Sequence, residues 1–144
     1  MRLTFTPSVL FSFLFITYLD AFDGDIHDIF LPNGMKVIIM EKTSKPYIGI
    51  GVYYNVGAHD ELAGRRGINR IVLNLMDLGT EKYPRAKKQQ LYNTYNSPND
   101  RWSNMDMTGF VSELPKSELE RGLDIESDRM QNPTIDTESL GLAK

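Results

Sequence analysis

Arg70, Leu73 and Asn74 have the spacing of a metal-binding motif. They stand at positions i, i+3 and i+4 of a mostly apolar stretch, which we predict to be a helix over residues 67–78. On a helix this spacing places three side chains on one face. In the order His-x-x-Glu-His, the same spacing lets two imidazoles bind one zinc ion, while the glutamate takes a proton from metal-bound water.

None of the three side chains can take the corresponding role. Arg70 is a permanent cation and would repel zinc, Leu73 has no proton to exchange, and Asn74 is a weak neutral ligand. We therefore predict neither a catalytic residue nor a metal ligand at these positions.

The two histidines of the chain, His27 and His59, offer no substitute site. His59 has no second imidazole near it in the sequence, and the neighbouring Asp60 and Glu61 alone would make a weak site. His27 lies on a predicted strand, where we expect a partly buried or hydrogen-bonded side chain rather than a ligand. The sequence contains no cysteine, so disulfides and thiolate metal sites are excluded.

The predicted helix also carries a polar stripe, formed by Arg70, Asn74 and Asp77. Two interpretations of the stripe stay open. Arg70 and Asp77 could form a charge network where a metal would otherwise lie, or the stripe could simply face water. On the other side of the helix, apolar residues are expected to pack: Ile68, Ile71, Val72, Leu75 and Met76.

The elements around this helix alternate between strands and helices. We predict strands over residues 26–31, 35–40, 47–56 and 105–112, and helices over residues 85–95 and from Ser117 onward. Turns are predicted at Pro32-Asn33-Gly34, between the first two strands, and over residues 96–100. In the third strand the even-numbered residues form the apolar face. The helix over residues 85–95 is polar, so we place it and its Lys87-Lys88 pair on the surface. Ser117 and Glu120 have the spacing of a capping box.

Length and composition fit one exported domain. The chain has 144 residues and a formal net charge of −3, which gives no indication of nucleic-acid binding. An apolar run over residues 9–19 is too short to span a bilayer and is typical of a secretory signal peptide, so we divide the chain into a signal peptide over residues 1–21 and a domain over residues 22–144. The alternative is an uncleaved membrane anchor. Either way we expect export, to a periplasm or out of the cell.

Four blocks in order resemble the insulinase/pitrilysin family of zinc peptidases, which includes mitochondrial-processing-peptidase-like proteins. Residues 31–37 resemble its L-x-N-G-hydrophobic-x-V opening, and residues 57–61 its G-S/A-x-x-E loop. Residues 67–84 follow the register of its zinc-motif block through to the ending K-Y-P, although Asp77 stands where the family prefers phenylalanine. Residues 123–130 are similar to its L-x-L-E-S-D-R-M helix.

The resemblance implies an α+β fold, an antiparallel-rich sheet with helices packed on one face. It also implies that the segment with Trp102, Ser103, Asp106 and Thr108 runs along a substrate groove, where an extended peptide could add to a sheet edge. The alternative for Trp102 is plain packing on a core strand. The family's third metal ligand lies on a helix beyond Glu138. Because the sequence stops at Lys144, we expect that helix not to form and the half-domain to be incomplete at its C-terminus.

By the same resemblance, members work as pairs of domains in which one half has often lost the zinc site. We therefore expect a non-catalytic homologue that uses no cofactor and pairs with an active, zinc-containing insulinase-family subunit, with a peptide substrate possible and no nucleic acid. Two alternatives stay open: a zinc metalloendopeptidase with an atypical site, and a truncated fragment without a function of its own.

Overall fold

The computed structural model describes residues 24–42 and 44–143; the predicted signal peptide lies outside them. Within these residues the chain divides into two units, one up to Lys45 and one from Pro46 onward. The strands are β1 (Ile26–Phe30), β2 (Lys36–Met40), β3 (Tyr47–Tyr54), β4 (Asn99–Ser103) and β5 (Thr108–Pro115). The helices are α1 (Ile68–Leu78), α2 (Arg85–Thr94), α3 (Leu119–Gln131) and α4 (Thr137–Ala143).

The first unit contains an antiparallel hairpin in which Ile26 pairs with Met40 and Phe30 with Lys36. The predicted turn between the two strands is confirmed. Gly34 has a φ of +85°, a conformation that favours glycine, and the Asn33 side chain accepts a hydrogen bond from the Met35 amide at 3.1 Å. Most of the hairpin's apolar side chains are exposed.

The second unit is built on an antiparallel sheet in the order β3-β5-β4. Along β3 the even-numbered residues are half-buried and the odd-numbered ones are exposed, as the alternation in the sequence predicts. β5 is the central strand, and Thr108, Phe110, Ser112 and Leu114 on it are all buried. In the described part of the unit, β4 and β3 therefore form the two edges of this sheet.

Helix α3 packs closely against the face of the sheet formed by these residues. Its Gly122 is buried, and a Cβ atom there would meet side-chain atoms of Ile50 and Leu114. Ile125, one turn further along, is almost completely buried. Absence of a side chain at residue 122 thus sets the close approach of helix and sheet. The predicted α+β class, with an antiparallel sheet and helices on one of its faces, is confirmed for this unit.

The segment that follows α1 is fastened to α3 at several points. The Thr80 hydroxyl donates to the Asp128 carboxylate, and the Tyr83 hydroxyl donates to Asp124 Oδ2 at 2.5 Å. The Lys82 ammonium lies 2.6 Å from the same Asp124 oxygen. Because of these bonds, the pKa values of both aspartates lie below the usual range.

Three expectations about elements were wrong. The helix expected to be missing after Glu138 begins at Thr137 and runs to Ala143. The capping box at Ser117 does not form, because Ser117 lies in a 3₁₀ turn and α3 begins at Leu119 without a side-chain cap. Finally, a turn was predicted over residues 96–100, but its last two residues belong to β4. This edge strand was not predicted, because its sequence does not alternate between apolar and polar residues.

Candidate functional site

A cleft of about 720 Å³ lies between helix α1 and edge strand β4. Its walls include the three motif positions of α1 and, from β4 and the turn after it, the groove candidates Trp102 and Ser103. The structure thus brings together residues that are about 30 positions apart in the sequence. Asp106 and Thr108 do not line the cleft themselves but bond to residues beside it.

Glu61 holds the N-terminus of α1 in place. Its two carboxylate oxygens accept hydrogen bonds from the backbone amides of Gly67 and Asn69, each at 2.8 Å. These are amides of the first turn, which have no partner within a helix. The Asn69 and Gly67 amides together lower the pKa of Glu61 from its usual value of 4.5. The glutamate of the loop before the helix is therefore an anchor for the helix that carries the motif positions.

We expect Glu61→Gln to lower the stability of the folded protein most at neutral pH. A carboxyl group whose pKa is depressed in the folded state stabilises that state above its unfolded pKa, and this stabilisation is lost as the pH falls through the folded pKa. The wild-type melting temperature should therefore drop more steeply than that of the variant as the pH is lowered below 4.5. Thermal unfolding between pH 3 and 7 measures both curves. Parallel curves would contradict an anchoring role for the Glu61 charge.

A second contact between α1 and the sheet runs through neutral side chains. The side-chain amide of Asn69 donates to the Ser103 hydroxyl at 2.6 Å and to the Thr108 hydroxyl at 3.0 Å. The Thr108 hydroxyl donates in turn to the carbonyl of Val56 at 2.8 Å. Ser103 and Thr108 were predicted as groove residues. Their side chains hold the first turn of α1 against β4 and β5, and thereby fix the width of the cleft at this end.

The motif positions have three different environments. Arg70 is exposed on the wall of the cleft, Leu73 is 7% exposed, and Asn74 is half-buried. The Asn74 side-chain amide donates to the carbonyl of Ala143 on α4 at 3.0 Å, so this polar group joins two helices. A cation, an apolar side chain and an amide already engaged in a hydrogen bond do not fit a zinc ion. In the described residues, moreover, no three His, Cys, Asp or Glu side chains cluster closely enough to hold a metal.

Asp77 belongs to a charge network, but not with Arg70. Its carboxylate lies 3.0 Å from the Arg101 guanidinium on β4 and 3.6 Å from both the Arg85 and the Lys88 side chains. The interpretation of the stripe as an Arg70–Asp77 network was therefore wrong, and so was the alternative that the stripe faces water, as far as it concerned Asp77, which is 8% exposed. The rotation of α1 that buries Leu73, Leu75 and Asp77 leaves Ile68 and Val72 exposed, contrary to prediction.

Lys88 was predicted on a solvated surface and is buried, with 4% of its surface exposed. Its ammonium donates to the carbonyl of Asp77 at 3.0 Å, in addition to facing that residue's carboxylate. Burial lowers the pKa of Lys88, and the nearby Asp77 charge acts in the opposite direction. Tyr92, on the same helix, is also buried. Helix α2 is thus polar in sequence, yet has one face in the core.

The remaining groove candidates, Trp102 and Asp106, lie on β4 and in the turn after it. The Trp102 ring covers Gly109, where a Cβ atom would come within 2.7 Å of the indole, and lies 6.1 Å from the Tyr53 ring. Its indole therefore packs across the sheet as well as lining the cleft. Asp106 lies 3.0 Å from the imidazole of the exposed His59, which ties two loops together at the surface.

Sequence reasoning missed a buried ion pair beneath the sheet. Arg129 and Glu126, one turn apart on α3, are in direct contact and are 4% and 5% exposed. The Arg129 guanidinium also lies over the Phe110 ring, 3.8 Å from its centroid. The i, i+3 spacing of opposite charges was visible in the sequence, but such pairs are usually exposed, so the spacing could not reveal the burial.

The family model for insulinase (peptidase family M16) matches residues 36–142, so the chain belongs to this family. The crystal structure of a protease from Helicobacter pylori is similar with a TM-score of 0.76 and 17% sequence identity, over 83% of this chain and 29% of that chain. This chain thus spans less than a third of the length of that protease, and the likeness shows a shared fold. No curated protein matches.

The protein is therefore an insulinase-family, peptidase-like domain, and the resemblance drawn from its sequence is confirmed. Nothing about its activity follows from the fold alone. Within the described residues, every helix is too short or too polar to cross a lipid bilayer.

Proposed function

We propose that this domain is a non-catalytic member of its family, which helps to hold peptide and pairs with an active insulinase-family subunit. The observation that carries the proposal is the set of residues that line the cleft. At the positions of a zinc motif, it presents Arg70, Leu73 and Asn74, whose chemistry does not fit the metal. The scaffold that would position a zinc site, namely a helix beside an edge strand, is nevertheless present.

Peptide holding is supported by the position of β4. In the described part of the chain, this strand pairs only with β5, so its outer edge borders the cleft. An extended peptide can add to such an edge through main-chain hydrogen bonds. Arg101, Trp102 and Ser103 on this strand are half-buried or exposed and would contact the peptide's side chains.

The first test measures metal and partner together. The full chain, tagged at its C-terminus, is purified from the cells that make it, and zinc is determined by mass spectrometry alongside peptidase activity. We expect substoichiometric zinc and a co-purifying protein that carries an intact His-x-x-Glu-His. The mass of the purified chain also shows whether residues 1–21 are removed, as we propose from their resemblance to a secretory signal.

A matched variant provides the positive control for zinc. The triple substitution Arg70→His, Leu73→Glu and Asn74→His places two imidazoles and a carboxylate at the same helix positions, and should retain more zinc after dialysis than the wild type. One zinc per wild-type chain, with peptidase activity that a chelator removes, would overturn the proposal. Purification as an aggregate without any family partner would instead favour a fragment without a function of its own.

A further inference from the structure

Arg70 is a cation on the wall of the cleft without an acidic partner. In the described residues, no carboxylate lies within ion-pair distance of its guanidinium, whereas the other arginine of the cleft, Arg101, lies 3.0 Å from Asp77. Arg70 is also exposed. A guanidinium presents five N–H donors in a rigid fork that matches a carboxylate. Arg70 therefore offers the cleft an anion-binding group that no described part of the protein uses.

The two carboxylates that line the cleft are already engaged with backbone amides. Both oxygens of Glu61 accept hydrogen bonds from the start of α1, at 2.8 Å each. Asp100 Oδ1 accepts from the amide of Arg101 at 2.7 Å. Neither carboxylate lies within ion-pair distance of the Arg70 guanidinium.

The charge behind the cleft has the same sign as Arg70. A single carboxylate, Asp77, is shared by Arg85, Lys88 and Arg101. Cations thus outnumber anions in this network, and one of them, Arg101, also lines the cleft. An anion entering between helix and strand meets Arg70 on α1 and Arg101 on β4, while the carboxylates of Glu61 and Asp100 line the same cleft.

We propose that Arg70 binds a carboxylate of an extended peptide that lies along β4. The proposal rests on the peptide-holding role proposed above and names the chemistry that the cleft selects. The carboxylate belongs either to an aspartate or glutamate side chain or to the C-terminus of the peptide. Arg70 would form paired, charge-assisted hydrogen bonds with it, while the peptide's main chain adds to the edge of β4. A position that would hold a zinc ligand thus becomes a specificity residue.

Three labelled pentapeptides of threonine and valine test the proposal by fluorescence anisotropy with the full-length chain. One has a central glutamate and an amidated C-terminus, one has a central glutamine and an amidated C-terminus, and one has a central glutamine and a free C-terminal carboxylate. We expect at least one carboxylate-bearing peptide to bind about tenfold more tightly than the neutral one. The stronger of these two peptides identifies the source of the carboxylate.

Arg70→Gln should abolish this preference while leaving the neutral peptide bound as before. Arg66→Gln is the matched control, because it removes the same charge four residues earlier, before α1 begins, from an exposed residue that does not line the cleft. Equal binding of all three peptides would overturn carboxylate selection and leave peptide holding intact. Equal effects of Arg70→Gln and Arg66→Gln on peptide binding would have the same meaning. Failure of all three peptides to bind would overturn both proposals.

Discussion

Replacing Arg129 with methionine is expected to lower the free energy of unfolding by about 3–5 kcal/mol. Arg129 and Glu126 are 4% and 5% exposed, so the substitution leaves a carboxylate buried without its counter-ion. Methionine is close to arginine in length and keeps much of the apolar packing, but it loses the contact of the guanidinium with the Phe110 ring, 3.8 Å from the centroid. The loss should appear as a lower urea concentration at the unfolding midpoint. The slope of the unfolding free energy against urea concentration should change little.

The same helix offers a matched control for this variant. Arg121 also pairs with a glutamate three residues away, Glu118, at 3.1 Å, but its own side chain is 54% exposed. Arg121→Met should therefore change the free energy of unfolding by no more than about 1 kcal/mol. If the two variants lost similar amounts, burial could not be the reason why the Arg129 pair matters.

Asp77→Asn is expected to destabilise the protein by about 3 kcal/mol. The substitution preserves shape but removes the one carboxylate shared by Lys88, Arg85 and Arg101, of which Lys88 is 4% exposed. Burial already lowers the pKa of Lys88, and the variant would leave this effect without its main opposition. Between the pKa of Lys88 in the folded variant and its usual value of 10.5, the unfolded chain binds more protons than the folded chain. The destabilisation should therefore diminish as the pH rises toward 10.5.

Removing the Lys88 ammonium as well should restore part of the stability that Asp77→Asn loses. The double variant Asp77→Asn with Lys88→Met is expected to be more stable than Asp77→Asn alone, because an apolar side chain can occupy the site without a counter-ion. Asp28→Asn is the control, since its pair with Lys36 at 2.9 Å is about half exposed on both sides and its loss should cost little. Strictly additive effects of the two substitutions would contradict a direct coupling of Asp77 and Lys88.

The elements that were predicted well from the sequence are those whose conformation is determined by residues close to one another in the chain. The turn at Asn33 and Gly34 was visible because a positive φ favours glycine and an asparagine side chain bonds to its own backbone. The strand over residues 47–54 was visible because one face of it is apolar. The motif positions on α1 could likewise be placed on one helix, and their chemistry judged, from spacing and residue type alone.

Partners from distant parts of the chain were beyond this reasoning. Asp77 and Lys88 look like surface residues by type, and only the meeting of α1, α2 and β4 turns them into a buried pair. Asn74 gave no sign of its bond to Ala143, since that bond depends on a helix that was expected to be missing. Burial of charge is decided by which elements meet, and periodicity within one element does not contain that information.

The bonds that join the segment after α1 to α3 have a consequence for motion in this domain. Thr80 and Tyr83 hold one end of the cleft wall to Asp128 and Asp124, whereas Glu61 and the Asn69 side chain hold the other end through loop and edge strand. The two ends of α1 are therefore held by different elements, the first turn by the loop at Glu61 and by the sheet, and the last turn by α3 through the segment that follows it. Loss of the contacts at Glu61 and Asn69 would therefore free the first turn of α1, and with it the width of the cleft at that end, while the bonds to α3 still hold the other end of the helix.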